Sequence, residues 1–157
     1  MIRLGLAVAA ITLIADQATK LYFYDLLVIG GTRFVEVAPF FNLVTVWNYG
    51  VSFGMLTNDS QIGPWLFVAV AAAIIAALFT WLRRAANRMV AIALGMVIGG
   101  AIGNVVDRLK YGAVFDFLDF HAFGWHWPAF NLADSGISIG VILLLADGLL
   151  GDKRSTK

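Results

Sequence analysis

Four stretches of the chain stay apolar long enough to cross a lipid bilayer, and each reads as a helix. A hydrocarbon core about 30 Å thick needs roughly 20 mostly apolar helical residues. The first stretch, 4–29, is LGLAVAAITLIADQATKLYFYDLLVI, interrupted by Asp16, Gln17 and Lys20. The second, 64–82, opens on Pro64, which suits the first turn of a helix, and is otherwise apolar. The third, 89–106, is rich in small residues. The fourth, 130–150, is FNLADSGISIGVILLLADGLL and carries Asn131 and Asp134 within its first turn and a half. Residues 1–15 have the outline of a signal peptide, with Arg3 ahead of an apolar run. The run continues past Lys20 without a persuasive small-residue cleavage site, which favours an uncleaved span.

Basic residues in short loops set the expected orientation. Arg83, Arg84 and Arg88 crowd the connection between the second and third spans, Lys153, Arg154 and Lys157 crowd the tail, and Arg3 precedes the first span. Both termini and the 83–88 loop are therefore expected in the cytoplasm, with 30–63 and 107–129 together on the far side. The first outward segment starts with a Gly-Gly turn signal and has β-branched and aromatic runs, RFVEV and NLVTVW, so a small sheet or cradle is expected there. The second, DRLKYGAVFDFLDFHAFGWHWPAF, mixes carboxylates with aromatics. Its Trp125 and Trp127 suit a membrane interface, and a short helix lying on the membrane surface is expected. The whole chain, 1–157, reads as one all-α membrane domain: four transmembrane helices, a small extracytoplasmic β-cradle and a short interfacial helix.

Composition agrees with that pattern. The 157 residues are 61% hydrophobic and 13% charged, against about a quarter charged in ordinary soluble domains. The net charge of +1 names no partner, and without a clustered basic face nucleic acid is not expected. The absence of cysteine excludes disulfides, thiolate metal sites and cysteine nucleophiles. His121 and His126 are too few for most zinc sites and no HExxH occurs, so no metal or other cofactor is expected.

The chemistry-bearing residues gather near the outer ends of three spans. Asp16 and Lys20 are four apart on one helix face, in the favourable order for an ion pair, and the simplest reading is a structural pair that neutralises itself. Asn104, Asp107 and Arg108 share one face of the third span; Asp107 and Arg108 either end the helix at the interface or serve a site. Asn131 and Asp134 repeat the device, and each alone reads as helix capping. Asp116 and Asp119 in VFDFLDF add two loop carboxylates. Taken together, carboxylates from different elements beside amides and an arginine suit a paired-acid site. There, an ionised carboxylate takes a proton from water while a protonated one polarises the scissile carbonyl. GISIG, 136–140, has the letters of a GxSxG nucleophile elbow but lies within a membrane helix, without the strand and turn that motif needs. Gly95, Gly99 and Gly103 recur every four residues, as packing contacts do.

DQATK at 16–20, FNLVTVWNYGVSFG at 41–54, GNVVDRLKYGAVFDF at 103–117 and PAFNLADSGISIG at 128–140 occur in the order found in lipoprotein signal peptidase, or signal peptidase II, and the chain resembles that family over nearly its whole length. The resemblance implies an aspartyl endopeptidase of the bacterial inner membrane. It would remove the signal peptide from diacylglyceryl-modified prolipoproteins, cutting just before the lipidated cysteine. It implies Asp116 and Asp134 as the catalytic pair, with Asp16, Lys20, Asn48, Asn104, Asp107, Arg108 and Asn131 in support. It also implies that the β segment cradles the substrate and that the 115–127 region forms a surface helix over the site. From spacing alone Asp116 is not preferred over Asp107 or Asp119; the family motif makes that choice. One departure is Ser52 in GVSFG, where the family commonly has alanine. Expected partners are lipid-modified prolipoproteins and membrane lipid, and the chain is expected to act as a monomer. Without the resemblance, two other readings stand. A small proton-coupled transporter would be favoured by internal repeats, which are not evident. The other is a non-catalytic membrane assembly subunit.

Overall fold

The computed structural model describes residues 1–50 and 62–152. Ser52 and the basic tail 153–157 lie outside them. The first span is α1, Ile2–Tyr24, continued by a π-helical turn, Asp25–Ile29. Strands β1, Phe34–Ala38, and β2, Phe41–Asn48, follow, then α2, Ile62–Arg83, and α3, Arg88–Tyr111. Strands β3, Val114–Ala122, and β4, Trp125–His126, lead into α4, Leu132–Asp152. All four α-helices are long and apolar enough to cross a membrane. The third runs to Tyr111 rather than stopping near 106. Asp107 is buried at 2% exposure and finds partners inside the fold, so it does not end the helix. The end comes at Gly112, whose left-handed φ of 75° lets its N–H cap the Arg108 carbonyl.

Helix α3 lies at the centre. Of its most apolar stretch 61% is buried, against 17% for α1 and α4 and 6% for α2, so α1, α2 and α4 surround it and turn side chains such as Leu6, Leu66 and Leu145 outward. Small residues permit the close approach. A Cβ on Gly99 would run into the Ala9 carbonyl of α1, and one on Gly103 into the Asp16 carboxylate. Such contacts substitute packing for the hydrophobic drive that lipid does not supply. The GISIG glycines likewise lie within α4, with Gly140 against Ala93 and Val97 of α3.

At one end of the bundle the four strands form an antiparallel sheet in the order β1-β2-β3-β4. This corrects the expectation for 107–129: no surface helix occurs there, because the segment completes the sheet. Phe115 and Phe117 are 1% exposed and pack on the end of α1, Phe117 against Phe23 and Phe115 against Tyr24. A helix would withdraw both rings. The β3–β4 hairpin turns through Phe123 and Gly124, both at positive φ, as a two-residue hairpin loop requires.

Candidate active site

Asp116 lies in the middle of β3, opposite Val46 of β2. Next to it, β2 carries one extra residue: Leu43 pairs with Leu118, but Val46 pairs with Asp116. Side chains alternate along a strand, so without this bulge Asn42 and Asn48 would share a face. The bulge reverses the parity. Asn48 emerges on the Asp116 face and donates to Asp116 Oδ2 at 3.1 Å, while Asn42 stays on the other face and donates to Asp119 Oδ2 at 2.9 Å. Bulges commonly re-aim a side chain in this way.

Asp134 is held by the start of α4. Asn131 Oδ1 accepts from the Asp134 N–H at 2.9 Å, and Asp134 Oδ2 accepts from the Asn131 N–H at 3.3 Å. This is a capping box made with Asn and Asp. The capping reading of both residues therefore holds, but it is not their whole role. Asn131 is fully buried, and its Nδ2 donates to Asp116 Oδ1 at 2.7 Å and to Asn104 Oδ1 at 3.2 Å. Asn104 Nδ2 in turn donates to Asp134 Oδ1 at 2.8 Å. Two amides thus link a carboxylate on β3 to a carboxylate on α4. Burial first, and then the charge of Asp134, push the Asp116 carboxyl up to about 7, against the amides of Asn48 and Asn131.

Behind these two carboxylates lies a second polar layer. Lys20 reaches Asp16 Oδ2 at 3.0 Å, Asp107 Oδ2 at 2.9 Å and Asn104 Oδ1 at 3.0 Å. The Asp16–Lys20 pair forms, but it is not self-contained as expected: Asp107 from α3 shares the ammonium. Arg108 donates through Nη1 to the Asn104 carbonyl at 3.3 Å, its guanidinium carbon lies 5.5 Å above the Phe67 ring, and its buried Nε has no partner among the described residues. The seven expected supporting residues are therefore all within or beside one network with Asp116 and Asp134.

Asp119 is not part of it. It faces away, accepting from Asn42 and from His126 at 2.9 Å, and His126 stacks on His121 with ring centres 4.8 Å apart. Burial tends to raise its carboxyl, but the Asn42 amide and His126 outweigh that and hold it below the ordinary value. Among the described residues no group of three or more histidines and carboxylates is arranged to hold a metal. Near Asp119 an open apolar hollow of about 410 Å³, lined by Phe40, Phe120, Trp125, Trp127 and Phe130, gives the sheet an aromatic end. Gln17 is the network member that sequence reasoning did not place. It donates to Asp16, Asp107 and the Gly103 carbonyl. The signal was its position, a polar residue beside Asp16 in an apolar span.

A family model described as signal peptidase (SPase) II matches residues 8–150. The chain is 49% identical over 151 residues to a lipoprotein signal peptidase of Methylobacterium sp. (strain 4-46), covering 96% of this chain and 92% of the relative. It is 44% identical to a lipoprotein signal peptidase of Nitrobacter hamburgensis, covering 95% and 93%. A solved structure described as a bacterial membrane enzyme, determined by the in meso method at 2.3 Å, superposes with a TM-score of 0.77 at 32% identity, covering 98% of this chain and 91% of that one.

Proposed function

The chain belongs to the signal peptidase II family, and we propose that it removes the signal peptide from diacylglyceryl-modified prolipoproteins by hydrolysis between Asp116 and Asp134. One observation carries the mechanism: the buried amide of Asn131 joins Asp116 to the helix start that holds Asp134. A site that ties two carboxylates together at one end of a membrane bundle suits an acid–base pair, because neighbouring carboxyls do not both ionise cheaply. Asp116, with its raised pKa, is the member that carries the proton. Asp134 as carboxylate takes a proton from water, whose oxygen attacks the carbonyl carbon just before the lipidated cysteine. Asp116 gives its proton to the carbonyl oxygen. As the tetrahedral intermediate collapses, one of its two hydroxyls returns a proton to Asp116, and the cysteine nitrogen leaves as an amine with the proton that Asp134 had taken. The products are a signal peptide with a new carboxyl end and a lipoprotein with a free amino end. Arg108 and the amides of Asn48 and Asn104 hold the substrate backbone, whose polar groups are costly to leave unpaired near lipid.

The proposed setting is the bacterial inner membrane, with the sheet and the two carboxylates at the extracytoplasmic face. Single cysteines at Thr32, Asn87 and Ser155 test this. With an impermeant thiol reagent on cells whose outer barrier is permeabilised, only the Thr32 position is expected to label. Labelling at Asn87 contradicts the orientation. Substrate class is tested by incubating the purified chain in detergent with a precursor before and after lipidation. Signal peptide is expected only from the lipidated form.

The raised Asp116 carboxyl gives a pH prediction. Cleavage is expected to decline as pH rises through about 7, where Asp116 loses its proton. The same group acts on stability with a definite sign. The folded state holds a proton that the unfolded chain releases near the ordinary value of 3.8, so the contribution of Asp116 to stability declines as pH rises from about there to about 7. Thermal melts of the wild type and Asp116→Asn across this range are expected to differ in slope, with the variant lacking the decline.

A further inference from the structure

Asp16 and Asp107 sit on different helices, and among the described residues neither is hydrogen-bonded to Asp116 or Asp134. Each instead accepts a backbone N–H immediately upstream of one of them. Asp16 Oδ1 takes the N–H of Ala133 at 2.9 Å, one residue before Asp134, and Asp107 Oδ2 takes the N–H of Phe115 at 3.1 Å, one residue before Asp116. Two side chains of α1 join these two holders. Lys20 bonds both carboxylates and uses its third proton on Asn104 Oδ1, so its donors are all engaged. The Gln17 amide lies 3.1 Å from Asp16 Oδ2 and 3.2 Å from Asp107 Oδ1, and also reaches the Gly103 carbonyl at 3.3 Å. Asp16 fits there because Gly103 presents no Cβ to it.

We propose that Gln17 and Lys20 are positioning residues that fix the two reacting carboxylates relative to one another, by locking Asp16 and Asp107 as holders of the backbone beside each. The proposal rests on the assignment of Asp116 and Asp134 as the reacting pair. Helix α1 contributes neither of that pair, yet it sets where β3 and α4 begin. A rigid cross-brace is needed because a displacement of about 1 Å at a reacting group costs roughly 10²-fold in rate. Lys20 suits it as a compact charge with three freely directed donors, whereas the flat fork of arginine does not reproduce three divergent bonds.

Gln17→Ala, Lys20→Arg and Lys20→Met in the purified full-length chain test this through two readouts. The first is backbone amide hydrogen exchange at Phe115 and Ala133. The second is kcat and KM on a lipidated precursor across pH. Gln17→Ala is expected to speed exchange at both amides and to lower kcat by roughly 10- to 100-fold. KM is expected to stay within about twofold and the limb near pH 7 to shift, since the surroundings of Asp116 change. Lys20→Arg is expected to restore the folded yield lost in Lys20→Met without restoring kcat. Lowered thermal stability in Gln17→Ala with unchanged kcat, pH profile and exchange would overturn the proposal, and this arm decides even where Lys20→Met fails to fold. Exchange at the two amides reads the brace independently of catalysis. Failure of the carboxylate assignment is distinguished by turnover in Asp116→Asn while the exchange effects persist.

Discussion

Asp116→Asn and Asp134→Asn are each expected to reduce cleavage of a lipidated precursor to background, a loss of at least about 10³-fold, while leaving the protein folded and able to bind the precursor. The fold tolerates the changes because the substitutions keep the size of both side chains. At position 134 asparagine can still accept from the Asn131 N–H, so the α4 cap survives. At position 116 the carboxylate receives two amide donors, from Asn48 and Asn131, and a carboxamide accommodates one on its oxygen while the other amide turns. What each variant loses is the ability to exchange a proton. Since the two groups act as a unit, the double variant is expected to be hardly slower than either single one. Asp119→Asn serves as the contrast. Its carboxylate faces Asn42 and His126 on the opposite side of the sheet, and it is expected to keep substantial activity. Asp107→Asn is expected to lose activity, because a carboxamide puts an NH2 donor in place of one of the two oxygens that accept from the Phe115 N–H and Lys20 on one side and from Gln17 on the other.

The second large effect is expected at Asn131. This side chain caps α4 through Oδ1 and reaches Asp116 and Asn104 through Nδ2, all without contact with solvent. Asn131→Ala removes the cap, worth about 1 kcal/mol, and leaves buried polar groups unpaired at about 1–3 kcal/mol each. A large fall in thermal stability and a fall in kcat of roughly 10²-fold or more are expected together. Asn131→Ser separates the two roles. A serine hydroxyl still caps the helix but is too short to reach across to Asp116, so much of the stability is expected to return and the turnover is not. Full turnover in Asn131→Ser would remove this residue from the link between the two carboxylates.

The four spans were legible because lipid exposure demands long uninterrupted apolar runs, and the interruptions in those runs, Asp16, Lys20, Asn104, Asp107, Asn131 and Asp134, marked the polar network. The capping box at 131–134 was legible for the same reason, as a local pattern within one turn. What the residues alone did not reveal depends on contacts made across elements. FDFLDF does not alternate: Asp116 and Asp119 are three apart and fall on opposite faces of β3, and both faces are buried, Asp116 and Phe117 alike at 1% exposure, so no polar face identifies a strand and the aromatic content suggested an interfacial helix. The choice between Asp116 and Asp119 turns on sheet parity, and the parity of β2 is reversed by a bulge that nothing in NLVTVW announces. Gln17 carries no charge to draw notice, and its three acceptors come from α1 itself and from residues more than eighty positions away.

The most direct test of water activated between two carboxylates is cleavage of a lipidated precursor by the purified chain in water enriched in heavy oxygen, with the products weighed intact and the enzyme checked for a covalent adduct. One heavy oxygen is expected in the new carboxyl end of the released signal peptide after a single turnover, with no acyl-enzyme captured by hydroxylamine. A trapped acyl-enzyme, or cleavage that continues at the wild-type rate in Asp116→Asn, would contradict it.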